Sequence, residues 1–127
     1  MKNKAASLRV ARVPWWVTEK THEPQQCDAA VSLAFSVLGK RWNGMIIDAL
    51  SAGPLSFVAL RRGVSGISDA VLSDRLAELA GLQLVSRQVD AGPPVTVSYE
   101  LTPQGRGLVP ILAQLGEWAS ENLPARV

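Results

Sequence analysis

Between Phe57 and Leu101 two short helical patterns, divided by a glycine, run into two strand patterns, and this order constrains the fold more than any other feature of the chain. Phe57, Leu60 and Val64 share one face of a short helix, and Gly66 breaks it. Ser68 is placed to cap the next helix, in which Leu72, Leu76 and Leu79 recur at i, i+4 and i+7; Gly81 is placed to stop it. Val85–Asp90 and Val95–Leu101 read as strands on either side of the turn cluster Ala91-Gly-Pro-Pro94, so the pair predicts a hairpin. Two helices joined by a tight turn and followed by a hairpin describe a winged helix-turn-helix.

The flanking segments complete this plan. From Asp28, Ala30, Leu33, Ala34, Val37 and Leu38 recur at helical spacing, while Val31 and Phe35 are apolar on another side. A helix that is apolar on more than one face is usually buried by two neighbours, and in a small domain the second can be another subunit. Gly39 ends this helix. Asn43 is placed to cap a second helix running to about Ser51, with Ile46, Ile47 and Leu50 inward, before Gly53-Pro54. Thr102 and Pro103 occupy the N-cap and first positions of a last helix that reaches about Asn122, with Leu108, Ile111, Leu112, Leu115 and Trp118 apolar; Pro110 kinks or delays it. The expected fold is mainly α with a small β-hairpin wing, dimerising through its terminal helices.

With 127 residues, 47% hydrophobic and 19% charged, the chain suits one globular domain. Residues 1–26 read as a basic arm containing Pro14, the pair Trp15–Trp16 and Pro24, residues 27–123 as the domain, and 124–127 as a tail. The net charge of +2 is uneven: residues 1–27 carry five basic groups (Lys2, Lys4, Arg9, Arg12, Lys20) against Glu19 and Glu23, whereas the remainder carries eight basic and nine acidic groups. The apolar runs are too short to span a bilayer, and the basic start is not followed by a continuous apolar stretch, so a cytoplasmic, membrane-free protein is expected. One cysteine, Cys27, and one histidine, His22, give no intrachain disulfide and no zinc site within the chain, and no metal or cofactor is expected.

In a helix-turn-helix the second helix enters the major groove. Here that helix is Ser68–Ala80, and with the leucines inward, Ala70, Asp74 and Ala77 face out with Ser73 beside them. The N–H groups at Ser68 can meet a phosphate, Ala70 a thymine methyl, Ser73 a base edge, and Asp74 the amino group of a cytosine. The pairs Lys40–Arg41 and Arg61–Arg62 are candidate phosphate contacts. Arg75 either reaches DNA or pairs with Glu78 at i+3, and both remain open. Arg87 and Thr96 are candidate wing contacts.

Several stretches in matching order carry a family resemblance: Gly39-Lys-Arg-Trp42, Ile67-Ser-Asp-Ala-Val-Leu-Ser-Asp-Arg-Leu-Ala-Glu-Leu79, Tyr99-Glu-Leu-Thr-Pro-Gln-Gly105 and Trp118. Over roughly residues 27–123 the chain resembles the HxlR family of bacterial, MarR-like winged helix-turn-helix transcription regulators, and Cys27 stands where many members carry a cysteine. The resemblance implies a homodimer formed by terminal helices, binding double-stranded DNA and responding to an oxidant, an electrophile or a small ligand. A repressor is the expected form. Trp42, Tyr99 and Trp118 match family positions and imply either core and dimer packing or the wall of a ligand pocket. Cys27 is either a sensing thiol at a helix start or an unreactive packed residue. Where the family often carries Lys or Arg, this chain has Ala70, and Thr96 stands in a wing that usually bears arginine.

Two other functions compete. An enzyme built on Cys27 needs a base and an orienting group, and only His22, five residues away, offers itself; catalysis is not expected. A winged helix used for protein binding, with weak or no DNA binding, fits the nearly neutral domain, Ala70 and the bare wing. Salt dependence separates the two binding readings, because phosphate contacts make affinity fall steeply with salt.

Overall fold

The computed structural model describes Gln26 and residues 28–125. The expectations placed on the arm, on Trp15 and Trp16 and on Cys27 lie outside the described residues. The elements run α1 (Ala29–Leu38), α2 (Asn43–Ala49), a 3-10 turn (Leu50–Ala52), α3 (Phe57–Gly63), α4 (Asp69–Gly81), β1 (Val85–Asp90), β2 (Thr96–Leu101), α5 (Pro103–Arg106) and α6 (Val109–Asn122).

Short polar side chains start four of these helices. Asp28 accepts from the Ala30 amide at 2.7 Å, Ser56 from Ala59 at 3.1 Å, Ser68 from Val71 at 3.2 Å and Thr102 from Gly105 at 3.0 Å. Each satisfies an amide that the helix leaves without an internal partner. Between α3 and α4, Gly66 takes a φ of 92°, which an L side chain adopts only under strain, and this makes the tight turn between the two helices.

Two helix ends differ from expectation. Asn43 does not cap α2: its side chain turns inward, is fully buried, and donates through Nδ2 to the Val37 carbonyl at 2.9 Å. The cap position belongs to Trp42, left-handed at φ 85° and with no side-chain cap bond. The inward side chain joins the Lys40 amide in bonding to the Val37 carbonyl at the end of α1, while its own Oδ1 is buried without a hydrogen-bond partner. Gly81 does not form the stop either; it is the last residue of α4, and Gln83 takes the left-handed position at φ 63°. The Leu84 amide bonds to the Leu79 carbonyl at 3.0 Å and the Gln83 amide to Ala80 at 3.0 Å, a Schellman ending set by position rather than by glycine.

The expected last helix divides in two. Thr102 and Pro103 start α5 as expected, but the chain is recast at Gly107–Leu108, and Pro110 falls in the first turn of α6, where its missing N–H costs nothing. Proline therefore delays the long helix. Thr102 also donates to the Gln83 carbonyl at 2.7 Å, and its amide bonds to Leu84 at 3.1 Å, so α5 is pinned against the chain that enters β1. Gly105 is buried where α5 passes the Leu84 carbonyl so closely that a Cβ would collide with it.

The core gathers Ile46, Ile47 and Leu50 with Leu60, Val64, Ile67, Leu72, Leu76, Leu79, Val85 and Leu101. Each fully buried leucine or isoleucine contributes about 1.5–3 kcal/mol of hydrophobic stabilisation. The two strands are antiparallel, from Val85 opposite Leu101 to Asp90 opposite Thr96, so the base of the wing is rooted in the core while its tip is exposed. Leu55 adds an isolated bridge to Tyr99 on the other side of β2, with amide–carbonyl bonds of 3.0 and 2.8 Å. The molecule is a winged helix-turn-helix: α3 and α4 make the motif and β1–β2 the wing.

Helix α1 buries none of its residues. Leu33 is 71% exposed, Phe35 61% and Trp118 of α6 53%. Val31, Phe35 and Leu38 of α1 face Ile111, Leu115 and Trp118 of α6 across an apolar cleft of about 550 Å³.

Candidate nucleic-acid interface

The outward face of α4 carries the residues expected there. Ser68, Ala70, Ser73, Asp74 and Ala77 are exposed, while Leu72, Leu76 and Leu79 on the opposite face are buried. Beside this face stands the wing. Arg87 of β1 and Tyr99 of β2 line a small cleft of about 220 Å³ together with Ser73, Leu76, Ala77 and Ala80 of α4. The wing therefore lies alongside α4, with Arg87 exposed and Thr96 exposed near its tip.

The cations at this face divide into two groups. Three are committed to carboxylates of α4. Lys40 Nζ lies 2.9 Å from Glu78 Oε1, and Arg61 Nη1 lies 2.9 and 3.2 Å from the two oxygens of Asp69. Arg75 Nη2 lies 2.7 Å from Asp74 Oδ2 and 3.1 Å from Glu78 Oε1. Glu78 is thus shared by Lys40 and Arg75, and the Lys40 hydrogen bond is the main cause of a carboxyl held below its ordinary range; partial burial opposes this and the Arg75 charge adds to it. The guanidinium of Arg75 is held more firmly protonated, above all by its bond to Asp74. The second group is less engaged: Arg41 stacks over the Trp42 ring at 4.3 Å, and among the described residues no ion pair involves Arg62 or Arg87.

The expected aromatic residues sit in three places. The half-buried Trp42 ring lies against the α3–α4 turn at Gly66, Tyr99 stands at the cleft between wing and α4, and Trp118 lies on the apolar α1–α6 face. Sequence reasoning missed the Lys40–Glu78 pair, whose partners are 38 positions apart with no local signal. It also missed the Leu55 bridge that braces the wing. The i to i+3 spacing of Arg75 and Glu78 did carry a signal, and that pair is formed. Among the described residues no group of three or more His, Cys, Asp or Glu could hold a metal ion, and no helix is long and apolar enough to cross a membrane.

Residues 37–127 match the family model described as HxlR-like helix-turn-helix. The chain belongs to this family. It is 42% identical over 88 residues to the HTH-type transcriptional regulator YodB of Bacillus subtilis (strain 168), an alignment covering 69% of this chain and 79% of YodB. The solved structure of diamide-treated YodB from B. subtilis superposes with a TM-score of 0.64 at 37% identity, covering 80% of this chain and all of that one. The redox regulator HypR in its oxidised form superposes with a TM-score of 0.70 at 32% identity, covering 76% of this chain and all of that one. Family membership makes the chain a helix-turn-helix transcription regulator.

Proposed function

We propose that the protein is a cytoplasmic, homodimeric repressor that binds a near-palindromic operator and is released from it by thiol oxidation or by an electrophile or small ligand. The observation that carries the DNA part is the exposed face of α4 on a winged helix-turn-helix, with Ser68 at its N-terminus and the wing alongside. In this reading Ala70, Ser73 and Asp74 meet base edges, Ser68 presents backbone N–H groups to a phosphate, and Arg41, Arg61, Arg62, Arg87 and Thr96 hold the backbone. Lys40 and Arg61 are the weaker of the proposed phosphate contacts, because Glu78 and Asp69 already engage them.

The dimer is supported by α1 and α6. Val31, Phe35, Ile111, Leu115 and Trp118 are large apolar side chains left open to solvent in the single chain, and they cluster on these two helices. A second copy covering this face through a two-fold axis would set two α4 helices for half-sites about one helical turn, or a multiple, apart.

The switch rests on Cys27, which directly precedes the α1 cap Asp28 in sequence, and on the similarity to YodB and HypR, whose solved forms include diamide-treated and oxidised states. With one cysteine per chain, an intersubunit disulfide, a mixed disulfide or an adduct are the available products.

The test is protection of DNA upstream of the protein's own and neighbouring genes, followed by binding as a function of salt. Protection of a near-palindrome with affinity that falls steeply with salt supports the reading. Binding that is absent, or indifferent to salt, moves the function to protein recognition. Mild oxidant should abolish protection by the wild type, reversibly with reductant, and leave Cys27→Ser unaffected. Equal loss in both proteins removes Cys27 from the switch.

A further inference from the structure

Asp74 is an unexpected residue on a helix that approaches a polyanion. Its carboxylate is 71% exposed on the outward face of α4 and, left alone, would repel phosphate. It is not left alone. Arg75 Nη2 donates to Asp74 Oδ2 at 2.7 Å and lies 3.1 Å from Glu78 Oε1, which in turn accepts from Lys40 at 2.9 Å. The four groups form a chain of alternating charge that is neutral overall and runs from the loop after α1 to the face of α4.

Neighbouring residues on a helix point about a quarter turn or more apart and do not ordinarily face each other. A 2.7 Å bond between Asp74 and Arg75 therefore requires both side chains to lean together. Arg75 can do so because it is itself held: only 15% of its side chain is exposed, and Glu78 fixes its other flank. The guanidinium is poorly placed to meet DNA. Its Nη2 is shared by two carboxylates and its Nη1 is buried without a hydrogen-bond partner, so neither nitrogen is presented to a phosphate. What remains facing outward is Asp74, with Oδ2 engaged and Oδ1 free of any described hydrogen bond, which suits one acceptor aimed at one donor.

We propose, on the DNA-binding reading above, that Arg75 is a positioning residue for specificity: it holds Asp74 in one orientation so that its carboxylate accepts from the amino group of a cytosine in the major groove. Cytosine is the base that presents an amino donor with no neighbouring acceptor at the major-groove edge, which is the complement of a carboxylate. Sequence choice at that base pair then depends on a residue that touches no DNA.

The probe is a duplex selected from a random library by the wild-type dimer, then varied one base pair at a time and titrated at several salt concentrations. Asp74→Asn, at an exposed position that cannot disturb the core, should lose discrimination at one C·G pair. Arg75→Gln should lose discrimination at the same pair by about tenfold or more, with the slope of log K against log salt unchanged. The double variant should lose no more than either alone, and Arg75→Lys should restore part of the preference. Glu78→Gln, which loosens Arg75 without touching Asp74, should give a smaller loss at the same pair and serves if Arg75→Gln does not fold. A slope that falls by about one in Arg75→Gln would make Arg75 a phosphate contact and overturn the proposal. So would equal loss at every base pair, or full discrimination retained in Asp74→Asn. Failure of the wild type to select any duplex would instead overturn the DNA reading itself, and the two failures are distinct.

Discussion

Lys40 Nζ lies 2.9 Å from Glu78 Oε1, and this contact ties the loop that closes α1 to the third turn of α4. The helix bearing the open apolar face is thereby joined to the helix bearing the reading face. A pair with 51% and 26% of its side chains exposed adds modestly to stability, so its importance lies in where α4 is held.

The pair makes a signed prediction about pH. Glu78 is held below its ordinary range in the folded chain, so its contribution is complete above the unfolded value, near pH 4, and is lost as pH falls through the lower folded value. Wild type should therefore be more stable than Glu78→Gln at pH 7, and the difference should close as pH drops below about 4. Denaturant midpoints of the two proteins across this range measure it. A gap that persists undiminished at the acid end would show that Glu78 does not act through its charge.

Two glycines should respond oppositely to alanine. A Cβ at Gly105 meets the backbone oxygen of Leu84, which cannot swing aside, so Gly105→Ala should cost about 1–3 kcal/mol. Gly81 ends α4 with nothing within 4 Å of a Cβ, and Gly81→Ala should stabilise by up to about 1 kcal/mol. Urea denaturation of the two variants checks both signs, and equal effects would mean that α5 does not pack closely against Leu84.

Periodicity located the leucines of α4, and turn chemistry located the wing, because both are local patterns. The polar caps Ser68 and Thr102 were legible for the same reason. Asn43 is not a cap because its amide is buried against the end of α1, and a capping and a buried asparagine look alike in sequence. Gln83 was missed because the left-handed turn after α4 is fixed by the Leu84–Leu79 bond and not by a residue type. Long-range pairs such as Lys40–Glu78 are invisible to any local rule, yet whether a candidate cation already has a carboxylate partner decides how free it is to meet DNA.

That difference separates Arg61 from Arg62. Arg61 already lies against both oxygens of Asp69, while no described ion pair involves Arg62. To contact a phosphate Arg61 must first leave Asp69, so its net contribution is reduced. Arg62→Ala should lower the salt slope by about one and weaken all sequences alike, whereas Arg61→Ala should lower it by less. Asp69→Asn should raise affinity for any duplex by freeing Arg61. Binding measured at three salt concentrations on specific and random duplexes resolves these cases, and identical slopes for wild type and both arginine variants would take the pair off the DNA surface.

The apolar face of α1 and α6 gives the last prediction. Phe35, Leu115 and Trp118 are each more than half exposed in the single chain, so replacing them removes almost nothing from its own core. Exposed substitutions normally change stability by no more than about 0.5 kcal/mol. If a second copy covers this face, however, a charge there is buried in the assembly, and burying a charge without a partner is strongly unfavourable. Phe35→Asp and Trp118→Asp should therefore yield folded monomers while the wild type sediments as a dimer at micromolar concentration. Unfolding temperature should rise with protein concentration in the wild type and not in the variants, because association stabilises only the folded state. With one half-site engaged instead of two, operator affinity should fall by a factor on the order of 10²–10⁴, while the slope against salt should drop to about half. A wild type that sediments as a monomer, or charged variants that remain dimeric with full operator affinity, would place the interface elsewhere and leave the open face of α1 to another partner.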